Sequence, residues 1–175
     1  MEVLLKINKF LDTLIIGAGF AGMYCLHKQI SDGFIAEIYE QGGDVGGTWY
    51  WNRYPGARCD IESMDYSYSF SEELQQEWNW KEKYGTQPEL LNYAKHVCEK
   101  FNLRKKINFN KKIIKAVFNK KTEKWIVSSD DNIHIECKYF ILATGNLSTP
   151  NTPKISGINN FEGNIYHTGA WPSEM

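Results

Sequence analysis

The residues with the clearest chemical potential are three glycines in the segment Gly17-Ala-Gly-Phe-Ala-Gly22, which has the spacing Gly-x-Gly-x-x-Gly. In such a segment the first glycine makes a tight turn, the second lets a diphosphate approach the backbone, and the third lets a helix pack closely on a strand. The helix that follows presents free N–H groups and the positive end of its dipole to an anion. The spacing therefore predicts a dinucleotide site.

The choice of dinucleotide is indicated by Glu40, which ends the next predicted strand 18 residues after Gly22. A carboxylate at this position accepts hydrogen bonds from ribose hydroxyls and repels the 2′-phosphate of NADP. FAD or NAD is therefore expected here. The alternative is an ordinary loop that contains three glycines, followed by a solvated glutamate, and the joint spacing disfavours it.

The elements that position these residues alternate between strand and helix. Residues 12–16 predict a short buried strand, residues 20–30 a helix, and residues 34–40 a second strand. This order is typical of a β-turn-α-β unit in a parallel sheet.

Further along the chain, the pattern predicts a second helix and more strands. The segment Thr86-Gln-Pro-Glu89 fits a capping box, with Pro88 in the first helical turn. Residues 139–144 predict a separate parallel strand that returns to the first sheet. Turn-forming residues separate three runs that predict an antiparallel meander, namely residues 113–118, 125–128 and 133–137.

The composition excludes several classes of protein. The 175 residues carry 20 Lys+Arg and 21 Asp+Glu, a net charge of −1, so nucleic acid is not an expected partner. The apolar stretch Leu14–Leu26 is too short to span a bilayer, and no membrane association is expected. No export signal accompanies it, so a cytoplasmic protein with free thiols is expected. The four cysteines lie far apart, and no metal site is predicted.

Residues 41–84, the aromatic loop, show little periodicity and ten aromatic side chains between Trp49 and Tyr84. Such long loops in compact domains are usually functional. The pair Gly46-Gly47 lets the backbone approach a flat cofactor, and Trp49 is placed to pack on a ring. The alternative is a structural bridge between Asp60 and one of the arginines Arg53 and Arg58, beneath a cluster of aromatic residues.

Two long motifs resemble one family. The segment from Gly46 to Asp60 is similar to the Gly-Gly-x-Trp, aromatic-Pro-Gly and Asp loop of Baeyer–Villiger monooxygenases. The segment from Phe161 to Pro172 resembles the F-x-G-x-x-x-H-x-x-x-W-P fingerprint of the same family. The Tyr66–Phe70 and Ala143–Gly145 segments are also similar. The likeness covers essentially the whole chain and is greatest to the phenylacetone and cyclohexanone monooxygenase branch.

The resemblance implies an α/β fold with a Rossmann-like FAD-binding domain at residues 1–150, in which a parallel sheet is joined by a β-meander at residues 112–137. Residues 151–175 are expected to form a linker that carries the fingerprint towards an NADPH domain. No second Gly-x-Gly-x-x-Gly follows it. We therefore expect an N-terminal fragment, truncated before the NADPH domain and inactive alone.

The resemblance also implies the cofactors FAD and NADPH, and a reaction in which a C4a-peroxyflavin formed with O₂ attacks a ketone to give an ester or lactone. Asp60 would orient a catalytic arginine, and Arg58, Cys59 and Asp60 would also touch the nicotinamide cofactor. The FAD contacts would come from Gly17, Gly19, Phe20, Ala21, Gly22, Glu40, Gly47, Thr48, Trp49, Asp60, Tyr66 and Ile113.

Three other functions compete with this one. An N- or S-oxygenating flavin monooxygenase is the nearest, and the Trp-Pro ending and the Arg-Cys-Asp60 loop argue against it. A non-catalytic FAD-binding module is a second alternative. A plain NAD-dependent dehydrogenase is a third, disfavoured by the aromatic loop and the meander.

Overall fold

A six-stranded mixed sheet forms the centre of the molecule, in a computed structural model that describes residues 6–172. The strand order is β3-β2-β1-β6-β5-β4. The strands are β1 (Lys9–Ile16), β2 (Ala36–Tyr39), β3 (Ile107–Asn108), β4 (Ile113–Asn119), β5 (Lys124–Ser129) and β6 (His134–Leu142).

The helices lie in the segments that connect the strands. They are α1 (Phe20–Ser31), α2 (Thr48–Trp51), α3 (Glu72–Glu77) and α4 (Gln87–Lys100), with 3₁₀ turns at Ser63–Tyr66, Arg104–Lys106, Ile158–Asn160 and Thr168–Ala170. Pro88 lies in the first turn of α4, where a backbone N–H would have no acceptor within the helix, so no helical hydrogen bond is lost. Asn102, just beyond the end of α4, has a φ of 53°. Within residues 6–172, none of the helices combines the length and apolar character needed to span a bilayer.

Strand β1 lies in the middle of the sheet and is parallel to both of its neighbours. It pairs with β2 on one side and with β6 on the other. Helix α1 follows β1 and leads to β2, which gives the expected β-turn-α-β unit. The neighbours of β1 therefore come from different parts of the chain: α1 leads to β2 on one side, and β6 lies on the other. In α/β sheets, ligands bind beside the carboxyl end of a strand at such a position.

Strand β6 joins the parallel sheet and the meander into one sheet. The antiparallel pairing predicted for residues 133–137 and the parallel pairing predicted for residues 139–144 are both confirmed. Their separation into two strands was wrong, because β6 runs without a break through Lys138. Its first half pairs antiparallel with β5, and its length pairs parallel with β1. The exposed Lys138 interrupts the apolar pattern, but the backbone hydrogen bonds continue past it.

Apolar residues cover both faces of the parallel strands, as such sheets require. On one face Ile15 and Ile38 pack with Met23 and Leu26 of α1. On the other face, residues of β1 and β2 pack with residues of β5 and β6 in a second cluster, made of Leu11, Leu14, Tyr39, Val127, Ile135 and Cys137.

The aromatic loop is ordered and contains short helices, as predicted. Tyr93 of α4 contacts the rings of Trp78 and Trp80, with centroid distances of 5.1 and 5.0 Å. The capping box at α4 was wrong: Thr86 makes no side-chain cap, and Glu89 instead accepts a hydrogen bond from the Lys81 N–H at 2.7 Å. The folded-back loop offers Glu89 a donor that local sequence does not reveal.

Candidate functional site

A cavity of about 580 Å³ opens at the carboxyl ends of β1 and β6. Two glycine-rich segments border it: the first glycine loop, residues 17–22, and the second glycine loop, residues 42–47. Ten of the fourteen residues predicted from the sequence line it, namely Gly17, Gly19, Phe20, Ala21, Glu40, Gly47, Thr48, Trp49, Tyr66 and Ile113.

The first glycine loop brings the start of α1 to the cavity. Gly22 lies behind the wall, and a Cβ on it would lie 1.9 Å from the carbonyl oxygen of Gly17, so the turn tolerates no side chain there. Gly19 caps α1 without a side chain, and the first helical turn contains no acidic residue. The N-terminal end of α1 therefore keeps its attraction for an anion such as a diphosphate.

The second glycine loop packs directly on the first. Gly47 has φ 55° and ψ −117°, which side-chain-bearing residues avoid. A Cβ on Gly47 would lie 2.8 Å from the Cα of Gly19. The Gly46 N–H also donates to the Ala18 carbonyl at 3.0 Å. The two loops thus form a shared surface on which a ligand meets backbone rather than side chains.

Glu40 lies between the two loops with only 6% of its surface exposed, so it is not a solvated side chain. One carboxylate oxygen accepts from the Ala18 N–H at 2.7 Å and the other from the Gly42 N–H at 2.6 Å. A carboxylate offers about four acceptor positions, so these two bonds leave capacity for ligand hydroxyls.

Aromatic side chains form another wall of the cavity. The Tyr66 ring contacts the edges of Trp49 and Phe20, with centroid distances of 5.6 and 5.5 Å. Burial raises the pKa of the Tyr66 hydroxyl above its usual range, so it remains a neutral hydrogen-bonding group at physiological pH. This wall suits a planar aromatic ligand.

Three predicted residues lie in the adjoining segment rather than on the cavity wall. Cys59 is buried against Trp49, whereas Arg58 and Asp60 are exposed. The structural alternative of a bridge from Asp60 to Arg53 or Arg58 was wrong. Within residues 6–172 Asp60 pairs with neither arginine, and the Arg58 guanidinium pairs with Glu82 at 2.6 Å.

The pairing of this segment explains that choice of partner. An antiparallel bridge joins Arg58 to Thr86, and the Arg58 side chain also donates to the Tyr84 carbonyl at 2.9 Å. The bridge therefore brings the guanidinium to the stretch that contains Glu82 and leaves Asp60 outside it.

Sequence reasoning missed the part of the wall that follows β6 and the part that precedes β4. Thr144 and Ser148 come from the first stretch, and Lys111 and Lys112 from the second. The Lys111 N–H donates to the Glu40 carbonyl at 2.9 Å, which brings this stretch to the site. The signal for Thr144 was its place at the end of the parallel strand predicted at 139–144, since the carboxyl ends of neighbouring parallel strands bind ligands. The pairing of β6 with β1 confirms that this end lies beside the end of β1.

Over the described part of the chain, no three His, Cys, Asp or Glu side chains are grouped so that they could hold an ion.

Known proteins are similar to this chain in sequence and in fold. A family profile described as "Pyridine nucleotide-disulphide oxidoreductase" matches residues 14–173. A Baeyer-Villiger monooxygenase of Pseudooceanicola batsensis is 46% identical over 162 residues, which is 92% of this chain and 30% of that protein. The phenazine N-monooxygenase PhzNO1 of Lysobacter antibioticus is 41% identical over 165 residues, which is 94% of this chain and 30% of that protein.

The solved structure titled "Oxidized steroid monooxygenase bound to NADP" superposes with a TM-score of 0.88 at 48% identity, covering 94% of this chain and 32% of that one. The chain thus spans about a third or less of the length of these relatives. The resemblance to Baeyer–Villiger monooxygenases that the two motifs predicted is confirmed. By its sequence from residue 14 to 173, the chain belongs to the pyridine nucleotide-disulphide oxidoreductase family, with Baeyer–Villiger monooxygenases among its relatives.

Proposed function

We propose that this chain forms the FAD site of a monooxygenase that uses NADPH and O₂ to insert one oxygen atom beside a ketone carbonyl, giving an ester or lactone. The observation that carries the proposal is the contact between the two glycine loops at the end of β1, with the Glu40 carboxylate buried between them. The relatives named as monooxygenases support the reaction class.

The residues fit FAD. A Cβ on Gly47 would fill the space between the loops, so this surface is kept open by glycine. The first glycine loop and the start of α1 would hold the diphosphate, and Glu40 would accept the ribose hydroxyls. Gly47, Thr48, Trp49 and Tyr66 would lie along the flavin half, and Ile113 would contact the adenine end.

Bound FAD would supply the electron transfer and the activation of O₂. The chain itself would bind and orient FAD and shield it from water. The rings of Phe20, Trp49 and Tyr66 would exclude water from one side of the flavin. The Asp60 side chain is exposed, and its carboxylate would orient a catalytic arginine. Arg58, Cys59 and Asp60 would border the NADPH.

A second candidate is oxygenation of nitrogen, favoured by the 41% identity to a phenazine N-monooxygenase. Both reactions need the same FAD site. The two reactions are distinguished by incubating the protein purified from its native host with NADPH and either a cyclic ketone or phenazine. The ketone would give a lactone, and phenazine would give an N-oxide. Retention of FAD without either product would indicate a binding module without chemistry.

Titration of the purified chain with FAD, followed by quenching of flavin fluorescence, tests the site itself. We expect saturable one-to-one binding and a yellow protein. Glu40→Gln replaces one carboxylate oxygen by an NH₂ group that faces a backbone donor, so FAD affinity should fall about tenfold or more.

Glu37→Gln is the matched control, because Glu37 lies on β2, the strand that Glu40 directly follows, but outside the cavity, and pairs with Lys9 and Asn108. It should leave FAD affinity within about twofold. A chain that takes up no FAD, or equal losses in the two variants, would rule out the proposed site.

A further inference from the structure

The second glycine loop needs an anchor if it is to meet a ligand in one conformation. Four of its six residues are glycine, so its backbone loses much conformational entropy when it becomes ordered. Val45 is fully buried, and the Gly46 N–H bonds to Ala18. The remaining non-glycine residue, Asp44, does not line the cavity.

Asp44 joins the loop to two cations on other elements. One carboxylate oxygen accepts from Arg104 Nη2 at 2.7 Å, and the other lies 3.1 Å from Lys95 Nζ on α4. The first oxygen also accepts the Val45 N–H at 2.8 Å. We call this set of contacts, made by Asp44, Lys95 and Arg104, the Asp44 clamp.

The clamp is partly shielded from water, with 22% of the Asp44 side chain exposed. Burial of the carboxyl opposes its ionisation, but the hydrogen bonds from Arg104, the Val45 N–H and Lys95 together outweigh burial and hold the pKa of Asp44 below its usual range. The side chain is therefore charged at neutral pH, and the ion pairs persist there.

Asp44 stands three residues before Gly47, whose Cα packs against Gly19. We propose that Asp44 is a positioning residue for the bound dinucleotide, because its clamp on Arg104 and Lys95 holds the second glycine loop against the first in the conformation that receives the flavin half. The inference rests on the proposed function, since it assumes that FAD occupies the cavity. The physical basis is preorganisation: because the Asp44 clamp orders the second glycine loop before FAD binds, the loop loses less conformational entropy on binding.

Asp44→Asn tests the role by FAD titration together with the visible circular dichroism of the bound flavin. Glu77→Gln is the matched control, because Glu77 also bridges two side chains of α4, His96 and Lys100, and lies away from the cavity. Asp44→Asn should weaken FAD binding roughly tenfold or more and change the flavin dichroism. Glu77→Gln should leave both unchanged even where its melting temperature falls.

Two further variants separate positioning from folding. Asp44→Glu keeps the charge and should recover most of the FAD affinity. Arg104→Gln removes one of the two cations and should give an intermediate loss, which keeps the test informative if Asp44→Asn does not fold. If wild-type protein binds FAD and Asp44→Asn matches it in affinity and dichroism, this inference fails while the proposed function stands. If wild-type protein binds no FAD, both fail.

Discussion

At the scale of single residues, two buried thiols have a measurable consequence. Cys98 and Cys137 belong to the two core clusters on opposite faces of the sheet, and their exposed fractions are 0% and 1%. Burial raises the pKa of each thiol to about 11. The reactive thiolate is therefore scarce at pH 8, and we expect both cysteines to react with thiol reagents only when the fold opens.

The same shifts predict how stability depends on pH. The unfolded thiols have a pKa near 9.0, so between pH 9 and 11 the unfolded chain releases protons that the folded chain retains. The free energy of unfolding should therefore be fully present below pH 9 and decline as the pH rises towards 11. Urea denaturation at pH 8 and pH 10 in reductant measures the decline.

The control for this prediction is the double variant Cys98→Ala and Cys137→Ala. It lacks both thiols, so its loss of stability between the two pH values should be smaller than that of the unaltered chain. Tyr39, whose pKa burial raises to about 12, is retained in both proteins and accounts for part of the remaining decline. Equal declines in the two proteins would contradict the assignment.

At the scale of elements, the contact between the two glycine loops leaves no room for a side chain at Gly47. Gly47→Ala should destabilise the chain by about 2 kcal/mol or more, because it combines an unfavourable backbone conformation with a contact to the Gly19 backbone. It should also abolish measurable FAD binding. Thermal unfolding and FAD titration give the two readouts.

Gly56→Ala provides the comparison for Gly47→Ala. Gly56 also has a positive φ, 79°, but a Cβ there would meet nothing within 4 Å. It should lose only the backbone contribution of about 1 kcal/mol and retain FAD binding. Similar losses in both variants would show that the loop contact contributes nothing of its own.

Local patterns identified the elements that depend on nearby residues. The glycine spacing placed α1 and β2 correctly, since a turn followed by a helix is a local structure. The break at Lys138 and the capping box at Glu89 misled for the same reason: the partners that decide them, β1 and Lys81, come from other parts of the chain. At both places a contact made by the folded chain overrides the local preference.

At the scale of the whole molecule, burial divides the chain into a packed sheet and a surface segment. No residue between Gly145 and Pro172 is buried, whereas the core lies along β1, β2 and β6. Hydrogen exchange followed by mass spectrometry should show the slowest exchange in β1 and β6 and the fastest in residues 145–172. Protection in that segment equal to that of β1 would contradict the division.

The candidate site was largely accessible from the sequence because its two main loops are marked by glycine. The positions of Lys111 and Lys112 beside Glu40 were not, since they depend on how the stretch before β4 returns to the end of β2. The roles proposed for Asp60 and Arg58 came from the resemblance alone. They concern a catalytic arginine and NADPH, which are not part of the cavity wall.

The parallel pairing of β1 with β6 also bears on how the chain acquires its structure. Lys9 pairs with Ile135, and Ile16 with Leu142, so the middle of the sheet joins the start of the chain to a stretch made much later on the ribosome. Until that stretch emerges, β1 has an open edge and part of its apolar surface faces water. Closing so large a loop is entropically slow, and the unpaired edge is the place where a nascent chain of this kind is most prone to self-association.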